Sequence, residues 1–174
     1  MNVSLNESEK RLCLFVARSR NAAAREVAPE DALRVSPKDP IFVDYEGAMG
    51  ELAFSKMLGI YPIQIFEIYH RSSLKGEDPG DLTFNGWVVD VKTTIHKGGR
   101  LISLRKNPAI DMFVLMTGQD GEYELAGGMW AEELYLPSRY GMPSGLSNKC
   151  YHATQDEMLD SRQVMESLTF LPKS

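Results

Sequence analysis

The sequence predicts an α/β domain with a mixed central β-sheet flanked by helices, and three observations predict it. Asn85-Gly86 sits between alternating apolar residues, which writes a hairpin into residues 79–94. The run Met112–Thr117 is continuously apolar, as a strand buried on both faces must be. Helical patterns precede the hairpin and another closes the chain. The 174 residues are 43% hydrophobic, enough for one sizeable core. One domain is expected over 1–174, with a helix and connecting loop over 1–40 and the core over 41–174.

The hairpin carries the most information. Both central residues of a type I′ turn need positive φ, which Asn-Gly supplies. With Asn85 and Gly86 as that turn, Phe84 pairs with Trp87, Thr83 with Val88, Leu82 with Val89 and Asp81 with Asp90. Side chains alternate faces along a strand. Leu82, Phe84, Trp87, Val89, Val91 and Ile95 then form a core face, and Asp81, Asp90, Lys92 and Thr94 a polar one. Opposed residues have Cβ atoms roughly 4.5–5.5 Å apart, where like charges destabilise. A divalent cation between the carboxylates reverses that sign, and Mg²⁺ takes one or two carboxylates plus phosphate and water. Lys92 beside it can contact a phosphate oxygen or hold the attacking water. The constellation suits phosphodiester hydrolysis.

Upstream, Asp44–Gly59 reads as a helix with Asp44 as N-cap and Gly59 as a left-handed stop. Gly47, Gly50, Ala53, Phe54, Met57 and Leu58 make its packing stripe, and the small residues allow close approach to a sheet. Glu51 projects at the stripe's edge, where it can reach the hairpin's metal. Glu46 is the alternative, nearer the stripe centre but in the first turn, where the helix dipole already favours an acid.

Together Pro79-Gly80-Asp81 and Asp90-Val91-Lys92 resemble the signature of the PD-(D/E)xK nuclease superfamily, particularly its phage and bacterial members. Lys92 is the only lysine here with a carboxylate two positions before it. The Gly50-Glu51-Leu52-Ala53 run is similar to the helix that supplies an extra glutamate in several members. The resemblance covers residues 43–95 and implies a restriction-endonuclease-like fold. It implies Mg²⁺, with Mn²⁺ as substitute, on Asp81, Asp90, the Val91 carbonyl and Glu51. The catalytic set would be Glu51, Asp81, Asp90 and Lys92, and the substrate a nucleic acid, most readily DNA. A nuclease-like domain without turnover, serving as a DNA-binding or assembly component, is the competing reading. A homodimer or a larger complex is compatible with either.

A net charge of −5 opposes a general affinity for nucleic acid. However, no acid falls between Val91 and Ile110, while Lys92, Lys97, Arg100, Arg105 and Lys106 all do. Lys97, Arg100, Arg105 and Lys106 are the candidate nucleic-acid contacts, and the His96–Arg100 turn can offer N–H groups to phosphate.

Other classes find little support. No apolar run is long enough to span a membrane, and the N-terminus lacks the pattern of a signal peptide, so a cytoplasmic setting is expected. Cys13 and Cys150 form no framework and read as packed thiols. His70, His96 and His152 lack zinc-ligand spacing. Neither a P-loop nor a Gly-x-Ser-x-Gly elbow occurs.

The remaining elements follow in order. Asn6–Glu26 reads as a helix with Leu12, Phe15, Val16 and Ala23 apolar; its Arg18, Arg20 and Arg25 form either a solvated face or a second phosphate contact, the solvated face being favoured. Ala28–Pro40 reads as a loop. Gly59–His70 is apolar and fits a strand or a short helix, and Arg71–Gly80 is a polar approach to the site. Strands are expected over Leu101–Leu104, Met112–Thr117 (central) and Tyr123–Ala126, then a short helix over Trp130–Tyr135. A loop over Leu136–Asn148, an edge strand over Lys149–Ala153 and a helix near Gln155–Leu168 complete the chain. Trp87, Met112 and Met116 are expected in the core.

Overall fold

The computed structural model describes residues 1–27, 39–60, 80–171 and 173, and among these it holds one mixed sheet, one antiparallel sheet and four α-helices. The order is β1 (Asn2–Ser4), α1 (Glu7–Val27), α2 (Pro40–Met57), β2 (Leu82–Phe84), β3 (Trp87–Thr94) and β4 (Leu101–Ser103). There follow β5 (Met112–Gln119), β6 (Glu122–Trp130), α3 (Ala131–Leu134), β7 (Tyr140–Gly141), β8 (Cys150–Ala153) and α4 (Ser161–Phe170). The larger, mixed sheet runs β1-β6-β5-β3-β2, with β3 and β5 parallel and its other pairs antiparallel. A smaller antiparallel sheet runs β4-β8-β7. The mixed α/β architecture is the one the sequence predicts.

β5 occupies the centre of the larger sheet and is buried from Met112 to Thr117, as its unbroken apolar run requires. Met112, Val114 and Met116 face a core shared with α1, α2 and α4. Phe113 and Leu115 face a second core shared with Leu101, Ala153 and Leu134. Helices therefore cover one face of the sheet, and the small sheet with α3 covers the other. β3 and β5 are linked by a segment that leaves to build β4, whose Leu101 packs the small sheet against Phe113 and Leu115 of β5.

α1 and α2 lie where expected but with different details. α2 begins at Pro40, earlier than the sequence suggests, and its N-cap is Asp39 rather than Asp44. The Asp39 carboxylate accepts the Ile41 N–H at 2.9 Å, and proline at the first helical position lacks only an N–H that would go unused. Gly59, at φ +68°, ends the helix in the left-handed region, as expected. On α1 the buried stripe is Cys13, Val16, Ala17 and Ala23, whereas Leu12 and Phe15 are exposed. The apolar phase is thus one residue removed from the largest side chains.

Further differences lie at the sheet margins. β1, three residues long, pairs with β6 and has no sequence counterpart above. β8 is the middle strand of the small sheet rather than an edge, because Tyr140-Gly141 pairs on its far side. The closing helix starts at Ser161, behind a separate 3₁₀ turn at Gln155–Glu157. Asp160 caps it, with Gln163 reciprocating. Among the described residues no helix is long and apolar enough to cross a membrane. The expectations for residues 28–38 and 61–79, and for the Arg25 side chain, lie outside the described residues.

Candidate functional site

The hairpin forms in the predicted register: Phe84↔Trp87, Thr83↔Val88 and Leu82↔Val89. Asn85 and Gly86 both have positive φ, +50° and +85°. Leu82, Val89 and Val91 are buried against α2, and the half-buried Phe84 and Trp87 pack onto the same core. Trp87 meets Trp130 edge to face with ring centroids 4.9 Å apart, so it is occupied as a packing residue.

Regular pairing stops at Leu82↔Val89, one step short of the expected Asp81–Asp90 pair. The Asp81 N–H donates to the Val89 carbonyl at 3.0 Å, although Leu82 is the residue opposite Val89. Gly80, at φ +82°, permits the chain to double over there. A side chain at Gly80 would also strike Val88 and Ile110. The consequence is chemical. The Asp81 carboxylate turns into the ladder and accepts the Val91 N–H at 2.6 Å, a donor that a longer β2 would have met with backbone.

Asp90, Lys92 and Thr94 alternate along β3 on the face away from α2. Asp90 is buried, and Lys92 Nζ lies 2.5 Å from its Oδ1. The same ammonium stands 5.9 Å from the centroid of the Phe113 ring. Glu51 comes from the opposite side, on α2, and is only 5% exposed. α2 can bring it close because Gly50 lies directly on Thr93: a Cβ at Gly50 would stand 1.9 Å from Thr93 Oγ1.

Asp81 feels the charges of both carboxylates. Burial first, then the charges of Glu51 and Asp90, raise its proton affinity well above the usual carboxylate range. Lys92 and the Val91 N–H act against that rise. Glu46, the alternative to Glu51, points elsewhere in α2's surroundings. It is buried and accepts a hydrogen bond from Tyr123 Oη at 2.9 Å.

Arg20 is the member that sequence reasoning misplaced. It is not on a solvated face: its guanidinium grips Glu51 with Nη1–Oε1 at 2.9 Å and Nη2–Oε2 at 2.8 Å. The signal was present in the helical spacing, since residues 13, 16, 17 and 20 fall on one stripe. Arg18 is exposed.

The structure thus brings Glu51, Asp81, Asp90, Lys92 and Arg20 into one charged cluster. The four basic candidates lie apart, around β4. Lys97, Arg105 and Lys106 are exposed, and Arg100 is half-buried. The Lys97 and Gly99 carbonyls accept from Gln155 Nε2 at 2.6 and 3.1 Å, which fixes the preceding turn against the 3₁₀ segment.

Oxygen donors alone, from Asp81, Asp90, Glu51 and the Val91 carbonyl, have the chemistry of a Mg²⁺ site. Three converging His, Cys, Asp or Glu side chains are not found among the described residues. Glu51 is gripped by Arg20, which leaves Asp81 and Asp90 as the carboxylates of the hairpin itself. Comparison with family models, curated proteins and solved structures yields no match.

Proposed function

We propose that this chain is a Mg²⁺-dependent nuclease of restriction-endonuclease-like fold, hydrolysing phosphodiester bonds, most readily those of DNA. One observation carries the reading: the Asp81 carboxyl is desolvated within electrostatic reach of both Glu51 and Asp90, with a lysine two residues beyond Asp90. Folding alone disfavours three acids so placed, because each like charge adds to the desolvation cost. Asp81, Asp90 and the Val91 carbonyl would hold Mg²⁺ (or Mn²⁺), with Glu51 bound directly or through water. Bound there, the cation supplies Lewis acidity and an acidified water.

The protein's own groups have definable tasks. Lys92 screens Asp90 until substrate arrives, then places its charge against phosphate oxygens where negative charge develops. Arg20 fixes the Glu51 carboxylate in one orientation. Gly50 sets the distance between α2 and β3, and so between Glu51 and Asp81. A cytoplasmic site of action is part of the same proposal.

A second reading has its own observation. Arg20 pairs with Glu51, Lys92 with Asp90, and Val91 N–H donates to Asp81, so each carboxylate already has a protein partner. That suits a domain without turnover that binds DNA or joins a larger assembly.

Cleavage of labelled duplex, single-stranded and branched DNA and of RNA, with Mg²⁺ or Mn²⁺ and an EDTA control, separates the two. Lys92→Ala should abolish cleavage yet leave Mg²⁺ binding intact or tighter, because the lysine competes for Asp90. Asp90→Ala should abolish both. Binding of these polymers with no cleavage of any of them makes the second reading the better account.

A further inference from the structure

Beyond the carboxylate cluster, an aromatic stack runs from the second core, against which Tyr135 and Tyr151 pack, out to the rim of the small sheet. Tyr151 and Tyr140 are cross-strand partners on β8 and β7, with ring centroids 4.8 Å apart. Tyr135 joins them edge to face at 5.1 Å from Tyr151, and Phe113 lies 5.7 Å beyond Tyr135. Phe113 is the buried ring that Lys92 stands over. The stack therefore runs without a gap from the candidate site to the surface, where Tyr140 is 48% exposed. Tyr135 and Tyr151 are half-buried against that core, whereas Tyr140 extends the stack into solvent, which packing alone does not require.

Positive charge accompanies the rings. Lys106 Nζ stands 5.8 Å from the Tyr135 centroid and 5.6 Å from that of Tyr151. Backbone contacts hold this strand of chain to the rings, because Asn107 N–H donates to Tyr135 Oη at 2.9 Å. Arg105 is exposed next to it, in a segment that contains no acid from Val91 to Ile110. Arg139, half-buried, is paired with Glu157 at 3.0 Å and so is not counted among these cations.

We infer that Tyr140, Tyr151 and Tyr135, with Lys106 and Arg105, form a stacking platform for unpaired bases of a single-stranded nucleic acid. Aromatic faces accept any base, and the cations track the backbone, so the surface recognises single-strandedness rather than sequence. A duplex offers its phosphates to the same cations but no base face to the rings. The inference rests on the nuclease reading for its choice of nucleic acid as ligand, and it adds a substrate class to that reading.

The test measures binding of fluorescent oligothymidylate, oligouridylate and a matching duplex by the full chain in EDTA, by anisotropy at several salt concentrations. Wild type should bind the single strands at least about fivefold more tightly than the duplex. Tyr140→Ala should lose about fivefold or more of single-strand affinity, the usual effect of removing one stacking ring. Tyr140→Phe should keep it, and Lys106→Gln should lower the salt slope by about one counterion. Equal affinity for duplex and single strands, or wild-type binding by Tyr140→Ala, overturns the platform. Cleavage of the same oligonucleotides with Mg²⁺ is read in parallel. Single-strand binding without cleavage leaves the platform standing and removes the nuclease. Cleavage that Tyr140→Ala leaves unchanged, at unchanged affinity, does the reverse.

Discussion

Arg20 holds Glu51 by both guanidinium nitrogens, at 2.9 and 2.8 Å, and so ties the first helix to the second at the candidate site. The pair is asymmetric in exposure: the arginine side chain is 27% exposed and the glutamate 6%. Removing the arginine strands a buried carboxylate beside Asp81, which cannot relieve it.

Arg20→Ala should therefore destabilise the fold by about 2–4 kcal/mol, toward the lower part of the range for broken buried pairs because one partner keeps some solvent. Replacing both members by methionine should recover much of that loss. The urea midpoint at unchanged m-value measures it. A loss below about 0.5 kcal/mol would mean that the pair is a surface contact.

That pair also marks the limit of what the sequence disclosed. The hairpin register was readable because Asn85-Gly86 fixes the turn and every residue after it alternates. β5 was readable because only a strand buried on both faces is apolar throughout. The phase of α1 was not, since Leu12 and Phe15 outweigh Cys13 and Ala17 in apolar size although α2 packs against the small residues. That error put Arg20 on the wrong face. Pro40 looked like a loop residue, yet it opens α2, because proline is tolerated in a first turn. β1 and the Tyr140-Gly141 strand are too short to leave a periodic trace and exist through their partners. Asp81 was placed in a regular ladder, and only the structure reveals its turn inward to Val91.

The turn at Asp81 has a pH consequence whose sign is fixed. Its proton affinity is raised in the folded state, from an ordinary value of 3.8, by burial and then by Glu51 and Asp90. Between the unfolded and folded pKa the native state binds the extra proton, so this group's contribution to stability falls as pH rises through that window. Asp81→Asn keeps an acceptor for Val91 N–H and deletes the charge. In EDTA it should be more stable than wild type at pH 7, by about 0.5–2 kcal/mol, with a flatter pH dependence. Thermal unfolding in a buffer series from acid to neutral pH checks this. Added Mg²⁺ should raise the wild-type Tm and leave the variant unmoved, as expected if binding is confined to the native carboxylate site. A variant less stable than wild type at neutral pH would mean that the carboxylate is already compensated.

Cys13 offers a probe of global opening. Its Sγ is buried and lies 3.5 Å from the Ala48 carbonyl, and burial, then the Glu51 charge, pushes the thiol up to about 12. The thiolate is the reactive form. Labelling by a soluble maleimide at pH 8 should thus be at least about a hundredfold slower in the native state than in urea. Rapid native labelling would show that α1 separates from α2 under native conditions.

The close approach of α2 to β3 at Gly50 and Thr93 predicts a mutational cycle. A Cβ on Gly50 would stand 1.9 Å from Thr93 Oγ1 and 3.0 Å from its Cβ and Cγ2, so α2 must lift from β3 to admit it. Thr93 Oγ1 has no hydrogen-bond partner among the described residues, so the hydroxyl itself stabilises nothing there. Gly50→Ala should cost about 1–3 kcal/mol by overpacking, even though alanine is the better helix former. Thr93→Ala alone should cost less than about 1 kcal/mol. Combined, the two should be more stable than Gly50→Ala alone, because the nearest clashing atom is gone, which gives a coupling of about 1 kcal/mol or more. Lifting α2 also carries Glu51 away from Asp81, so on the proposed nuclease reading cleavage should fall in Gly50→Ala and return in part in the double variant. Additive stabilities, with no coupling between the two positions, would place the helix farther from the strand and leave Glu51 without its means of approach to Asp81.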